Sequence, residues 1–116
     1  MRRRLMIVFL MLGCDAPQPV TAALTAAPAF RASCLLSAMD VCTEHTEASL
    51  ALGEESMRAG CLGEKGLWSP ARCPGERRVG TCATRTARRA YYGGRFTSAT
   101  AARDCVELYQ GTFTGK

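Results

Sequence analysis

The first feature of the chain is a stretch with no polar side chain. Leu5 to Leu12 (LMIVFLML) follows Met1-Arg2-Arg3-Arg4 and closes at Gly13. An apolar run with a basic flank and no polar face predicts a secretory signal helix rather than a core helix. A membrane span needs roughly 20 apolar residues, and this run is far shorter. From Asp15 to Ala32 large apolar side chains are sparse, and Pro17, Pro19 and Pro28 interrupt any regular helix. That composition predicts an extended tether. Periodic patterning begins beyond it. Ala101, Cys105, Leu108 and Tyr109 recur at helical spacing opposite Arg103 and Glu107, with Thr97 and Ser98 as N-caps. A first helix is expected over Glu47 to Gly60, capped by Thr46, with Leu50, Met57 and Cys61 on one stripe. Gly53 weakens that helix by about 1 kcal/mol of propensity. Val79–Arg85 and Arg88–Tyr92 read as a hairpin, with Gly93-Gly94 as the turn leading away. Leu67-Trp68 and Thr112-Phe113-Thr114 read as short strands.

The elements repeat. Cys42 and Cys61 are separated by 18 residues and followed by Gly66-Leu67-Trp68; Cys82 and Cys105 are separated by 22 and followed by Gly111-Thr112-Phe113. In both halves a cysteine closes the helix and Gly-x-aromatic comes shortly after. The expected fold is α+β: a small disulfide-rich domain of two similar strand-helix-strand units, with two helices on a short antiparallel sheet. Residues 1–13 form the signal peptide, 14–32 the tether and 33–116 the cysteine-rich domain.

Seven cysteines in 116 residues are a framework. Cys14 stands apart, and Cys34, Cys42, Cys61, Cys73, Cys82 and Cys105 form an even set. Zinc would need Cys-x(2–4)-Cys pairs. The gaps contain 7, 18, 11, 8 and 22 residues, so no metal site and no cofactor are expected. Symmetry between the units suggests Cys42–Cys61 and Cys82–Cys105 as equivalent bridges, which leaves Cys34–Cys73.

Met11-Leu12-Gly13-Cys14 resembles the lipobox of bacterial lipoproteins, with methionine in place of the commoner leucine. The resemblance implies cleavage before Cys14, a lipid on its thiol and a membrane partner reached through that anchor. It also implies export, with the domain in the periplasm or outside the cell on the inner or outer membrane. Asp15 matches the inner-membrane retention signal of some enteric lipoproteins. The compact part resembles small uncharacterised cysteine-rich domains of predicted bacterial lipoproteins. The shared features are Cys73-Pro74, Val79-Gly80-x-Cys82, Tyr91-Tyr92, and Cys105 followed by Gly111-Thr112-Phe113. Such domains often carry Glu-Tyr where this chain has Glu44-His45, and the resemblance brings no activity.

Charge and chemistry narrow the function. Of fifteen basic residues three lie in the signal, so twelve remain against ten acidic, a net of +2 rather than +5. A nucleic-acid partner loses its support. Asymmetry persists: Asp40 to Glu64 is acidic, whereas Arg72 to Arg95 holds seven arginines and only Glu76. Arg77, Arg78, Arg85, Arg88 and Arg89 are therefore candidates for binding an acidic polymer. His45 is the only histidine, and no nucleophile–base arrangement or Gly-x-Ser-x-Gly elbow accompanies it. Gly93-Gly94 lacks the Gly-Lys-Ser/Thr of a phosphate loop. Glu44, Glu47, Glu54 and Glu55 read as solubilising groups rather than an acid–base pair. The expectation is a non-catalytic binding or structural module, with an envelope protein or polymer as its partner. The alternatives are an inhibitor or toxin-like ligand presenting Gly75–Val79, and a polyanion binder.

Overall fold

The computed structural model describes residues 29–51 and 53–116. The expected signal segment, Cys14 and most of the expected tether lie outside the described residues. The elements are β1 (Phe30–Leu36), a 3-10 turn (Ser37–Met39), β2 (Val41–Thr46), α1 (Glu47–Leu50), α2 (Glu54–Gly63), β3 (Leu67–Ser69), β4 (Arg78–Ala83), β5 (Ala87–Tyr92), α3 (Ser98–Tyr109) and β6 (Thr112–Gly115). All six strands form one antiparallel sheet in the order β3-β1-β2-β5-β4-β6. Phe30, Arg31 and Ala32 belong to β1, so the domain starts earlier than the expected boundary at residue 33.

That strand order is a motif written twice. β3-β1-β2 and β6-β4-β5 are the same arrangement, joined through the antiparallel β2–β5 pair. Each copy is a hairpin, a helical segment and a return strand that pairs outside the first strand. The unit is thus strand-strand-helix-strand, one strand longer than expected. In the first copy Cys34 stands opposite Thr43 and Trp68; in the second Cys82 stands opposite Arg89 and Phe113. Cys34 is bonded to Cys61 in α2 and Cys82 to Cys105 in α3. The third bond joins Cys42 to Cys73.

The expected pairs Cys42–Cys61 and Cys34–Cys73 are therefore corrected, and side-chain alternation is the reason. Directly opposed residues of an antiparallel pair share a face, and neighbours along a strand alternate. Cys34 and Thr43 face the helices, so Cys42, next to Thr43, faces away and cannot reach Cys61. It meets Cys73 on the other side.

The sheet consequently has two cores. On the helix side Val41, Cys82, Tyr91, Ala101 and Cys105 pack together, with Leu36, Val79, Phe96 and Phe113 against them. On the other side Cys42, Cys73, Ala90 and Tyr92 pack with Leu35 beneath the crossover formed by residues 70–77. The helices follow their caps. Thr97 accepts from the Thr100 amide in a capping box with Thr100. Thr46 accepts from the Ser49 amide. The first helix is divided into α1 and α2 at Gly53, whose φ of 141° ends the helical run. The buried stripe of α3 is Ala101 and Cys105; Leu108, expected with them, is 70% exposed.

The Gly-x-aromatic signature has a packing cause. A Cβ on Gly66 would come within 2.8 Å of the Cys61 Sγ, and one on Gly111 would strike the Cys82 Sγ. In each copy the return strand can pass the disulfide only without a side chain there. A Cβ on Gly80 would likewise meet the ring of Phe113.

Candidate functional site

The crossover on the open face of the sheet is fastened by polar groups as well as by Cys42–Cys73. Glu44 is buried; its Oε2 accepts from the Cys73 amide at 3.0 Å and its Oε1 lies 3.4 Å from an Arg72 guanidinium nitrogen. Arg72 in turn lies over the Phe30 ring, 4.7 Å from its centre. Ser33 Oγ donates to the Ala71 carbonyl at 2.7 Å, and Tyr92 OH donates to that of Pro74 at 2.7 Å. Arg78 donates to the carbonyls of Cys73 and Pro74 at 2.9 and 3.0 Å. Burial raises the Tyr92 phenol above its ordinary pKa, and the Arg78 charge opposes that shift.

Between this crossover and the β4–β5 turn lies a concavity of about 260 Å³. Its walls include Phe30, Glu44, Thr46, Arg72, Arg85 and Arg88. Strand alternation puts Arg88 opposite Glu44 on this face. The turn is held in place: Thr46 Oγ1 donates to the Thr86 carbonyl at 2.9 Å, and Thr84 Oγ1 donates to that of Ala87 at 3.0 Å. A second cavity, of about 330 Å³, lies near the opposite end of β5 and mixes Asp40 and Glu76 with Arg77, Leu35 and Tyr92.

The five arginines expected to act together are separated by the fold. Arg78 is spent on the crossover carbonyls. Arg77 sits in the turn before β4 at φ 60° and reaches the Gly93 carbonyl at 3.4 Å. Arg89 faces the helices, with its guanidinium 4.6 Å from the Tyr109 ring centre and 5.6 Å from that of Tyr91. Its Nε is 3.9 Å from Asp104, which also accepts from Tyr91 OH at 2.7 Å. Burial, then that hydrogen bond, pushes the Tyr91 phenol far above its ordinary pKa. Only Arg85 and Arg88 share a surface, and they share it with Arg72 and Phe30, neither of which is among the sequence candidates. Arg72 lies within the basic segment, which is a signal of sorts; Phe30 carries none as long as β1 reads as tether.

Gly75–Val79 is a tight turn leading into β4, closed by the Arg78 amide on the Gly75 carbonyl at 3.4 Å. His45 lies half-buried, stacked on Trp68 with ring centres 5.5 Å apart, and its Nδ1 is 3.4 Å from Ser49 Oγ. Burial lowers its pKa below the usual 6.5. Among the described residues no group of three or more His, Cys, Asp or Glu side chains is placed to hold a metal ion.

The chain matches no protein-family model, no curated protein and no solved structure. Three disulfides fit an oxidising environment, extracellular or periplasmic. Among the described residues no helix is long and apolar enough to cross a membrane.

Proposed function

We propose that this chain is an exported lipoprotein, anchored through a lipid on Cys14, whose domain serves as a non-catalytic binding or structural module of the cell envelope. The observation that carries the reading is the arithmetic of the thiols. Seven cysteines are present, and the six from Cys34 onward are all consumed by three bonds within the domain. The seventh ends the apolar run in a lipobox-like sequence. Thioether formation there removes a thiol that would otherwise disturb pairing in an oxidising compartment. Two or three acyl chains, at about 0.8 kcal/mol per buried methylene, hold a domain whose described residues include no spanning helix. The binding role is supported by the Arg85–Arg88 concavity. Mass spectrometry of the chain expressed in a bacterium tests the anchor: the mature mass corresponds to cleavage before Cys14 plus acyl groups, and Cys14→Ser abolishes both. An acylated mature mass from the Cys14→Ser chain refutes it.

A further inference from the structure

We propose that the concavity between the crossover and the β4–β5 turn binds one oxyanion carried on a sugar-sized body, a sugar acid or a sugar phosphate unit of an envelope polymer. This rests on the binding-module reading for its setting, but not on the anchor.

Three observations lead there. The first is which arginines the fold has used. Arg31 pairs with Glu47, Arg72 with Glu44 and Arg89 with Asp104, while Arg77 and Arg78 donate to backbone carbonyls. Among the described residues Arg58, Arg85, Arg88, Arg95 and Arg103 have no ion pair, and of these only Arg85 and Arg88 line this concavity. The second is charge. Three guanidinium groups and one carboxylate line it, a net of +2, and both oxygens of that carboxylate already face the Cys73 amide and Arg72. A concave site with low-dielectric walls concentrates such a field more than a flat surface does. The guanidinium fork matches carboxylate and phosphate oxygens alike.

The third is size and order. A volume of about 260 Å³ is below that of most drug-sized pockets and suits one ring rather than a chain of them. Part of the wall is set before any ligand arrives, while the Arg85 and Arg88 side chains extend from it exposed. Thr46 and Thr84 hold the turn that carries Arg85, and Phe30 with Glu44 holds the Arg72 guanidinium. Preorganised groups lose less freedom on binding. The site is therefore local. It differs from a diffuse basic stripe over all five sequence candidates.

The test is titration calorimetry of the full chain with galacturonate, galactose 6-phosphate and neutral galactose. One of the anions, or both, binds at one per chain in the millimolar range, and which one binds distinguishes carboxylate from phosphate as the source. Galactose does not bind. Arg85→Gln and Arg88→Gln each weaken binding about tenfold, whereas Arg77→Gln, at the far end of β4, leaves it unchanged. Circular dichroism and the thermal midpoint of each variant match the parent, since these side chains are exposed. Binding of galactose equal to that of the anions overturns the proposal, as does no binding of either anion at about ten times the millimolar range. An equal loss in Arg77→Gln points to diffuse charge and overturns it too. The anchor is read separately by the mass of Cys14→Ser, so failure of one reading leaves the other standing.

Discussion

His45 lies against Trp68 with ring centres 5.5 Å apart and planes 28° from parallel. Registering the two copies on Cys34 and Cys82 places His45 at the position of Tyr91 and Trp68 at that of Phe113. Tyr91 and Phe113 also touch, at 6.4 Å. One aromatic contact between the inner hairpin strand and the return strand thus occurs in both copies. In the second it belongs to the main core, while in the first it is only half-buried.

Because His45 and Trp68 are the only histidine and the only tryptophan, the pair reports on itself. A protonated imidazole against an indole quenches its emission, so Trp68 fluorescence is expected to fall as His45 titrates. Burial lowers the folded value, so the midpoint lies below 6.5. Between the folded and unfolded values the unfolded chain binds the proton more readily. Stability is therefore full above the unfolded value near 6.5 and declines as pH falls toward the folded one. A fluorescence midpoint above 6.5, or an identical titration in His45→Gln, contradicts this.

The corrected bridge Cys42–Cys73 closes the open face of the sheet. Replacing both cysteines by alanine is expected to cost about 2–4 kcal/mol in denaturant unfolding. Amide exchange should accelerate in the crossover, residues 70–77, while α3, held by Cys82–Cys105, keeps its protection. Peptide mapping of the parent chain should yield Cys34 joined to Cys61 and Cys42 joined to Cys73.

Glu44 is expected to act as a structural acceptor. Glu44→Ala leaves the buried Cys73 amide without its acceptor and releases Arg72, a loss of about 1–3 kcal/mol. Glu44→Gln keeps a carbonyl for that amide and loses only the ion pair with exposed Arg72, so its cost should be smaller, about 1 kcal/mol or less. Chemical unfolding of the two variants in parallel gives the comparison, and equal losses would contradict the assignment.

What can be read in advance follows the range of the signal. Caps, the β4–β5 hairpin and the Gly-x-aromatic pairs are local, and the chain states them within a few residues; the division at Gly53 is legible only as a weakening of one continuous helix. β1 and β2 escape the pattern because the sheet is covered on both faces, so burial does not alternate along them: Ala32, Ser33 and Cys34 are buried in succession, as are Val41 and Cys42. Without β1 the repeat registers on Cys42 instead of Cys34. Both choices match the second copy's spacing equally badly, 18 or 26 residues against 22, so spacing cannot decide. Only strand alternation decides, by turning Cys42 away from the helix. The basic segment fails as a unit for the same reason. Arg88 and Arg89 are adjacent in sequence and lie on opposite faces of the sheet.

The glycines test the duplication itself. Gly66 and Gly111 precede the return strands, and a Cβ on either would press on a disulfide sulfur and a backbone carbonyl. Neither has a positive φ, so close packing and not backbone strain requires glycine there. Because a disulfide and a carbonyl cannot rotate aside as a long side chain can, alanine at either position should cost about 1–3 kcal/mol. Gly60 in α2 is the control. Nothing lies within 4 Å of a Cβ built there, and alanine should stabilise the helix by up to about 1 kcal/mol. Thermal unfolding of Gly60→Ala, Gly66→Ala and Gly111→Ala should therefore shift the midpoint up in the first and down in the other two. If the copies are equivalent, the two downward shifts are similar in size. A neutral Gly66→Ala beside a damaging Gly111→Ala would mean that the return strands pass their disulfides differently.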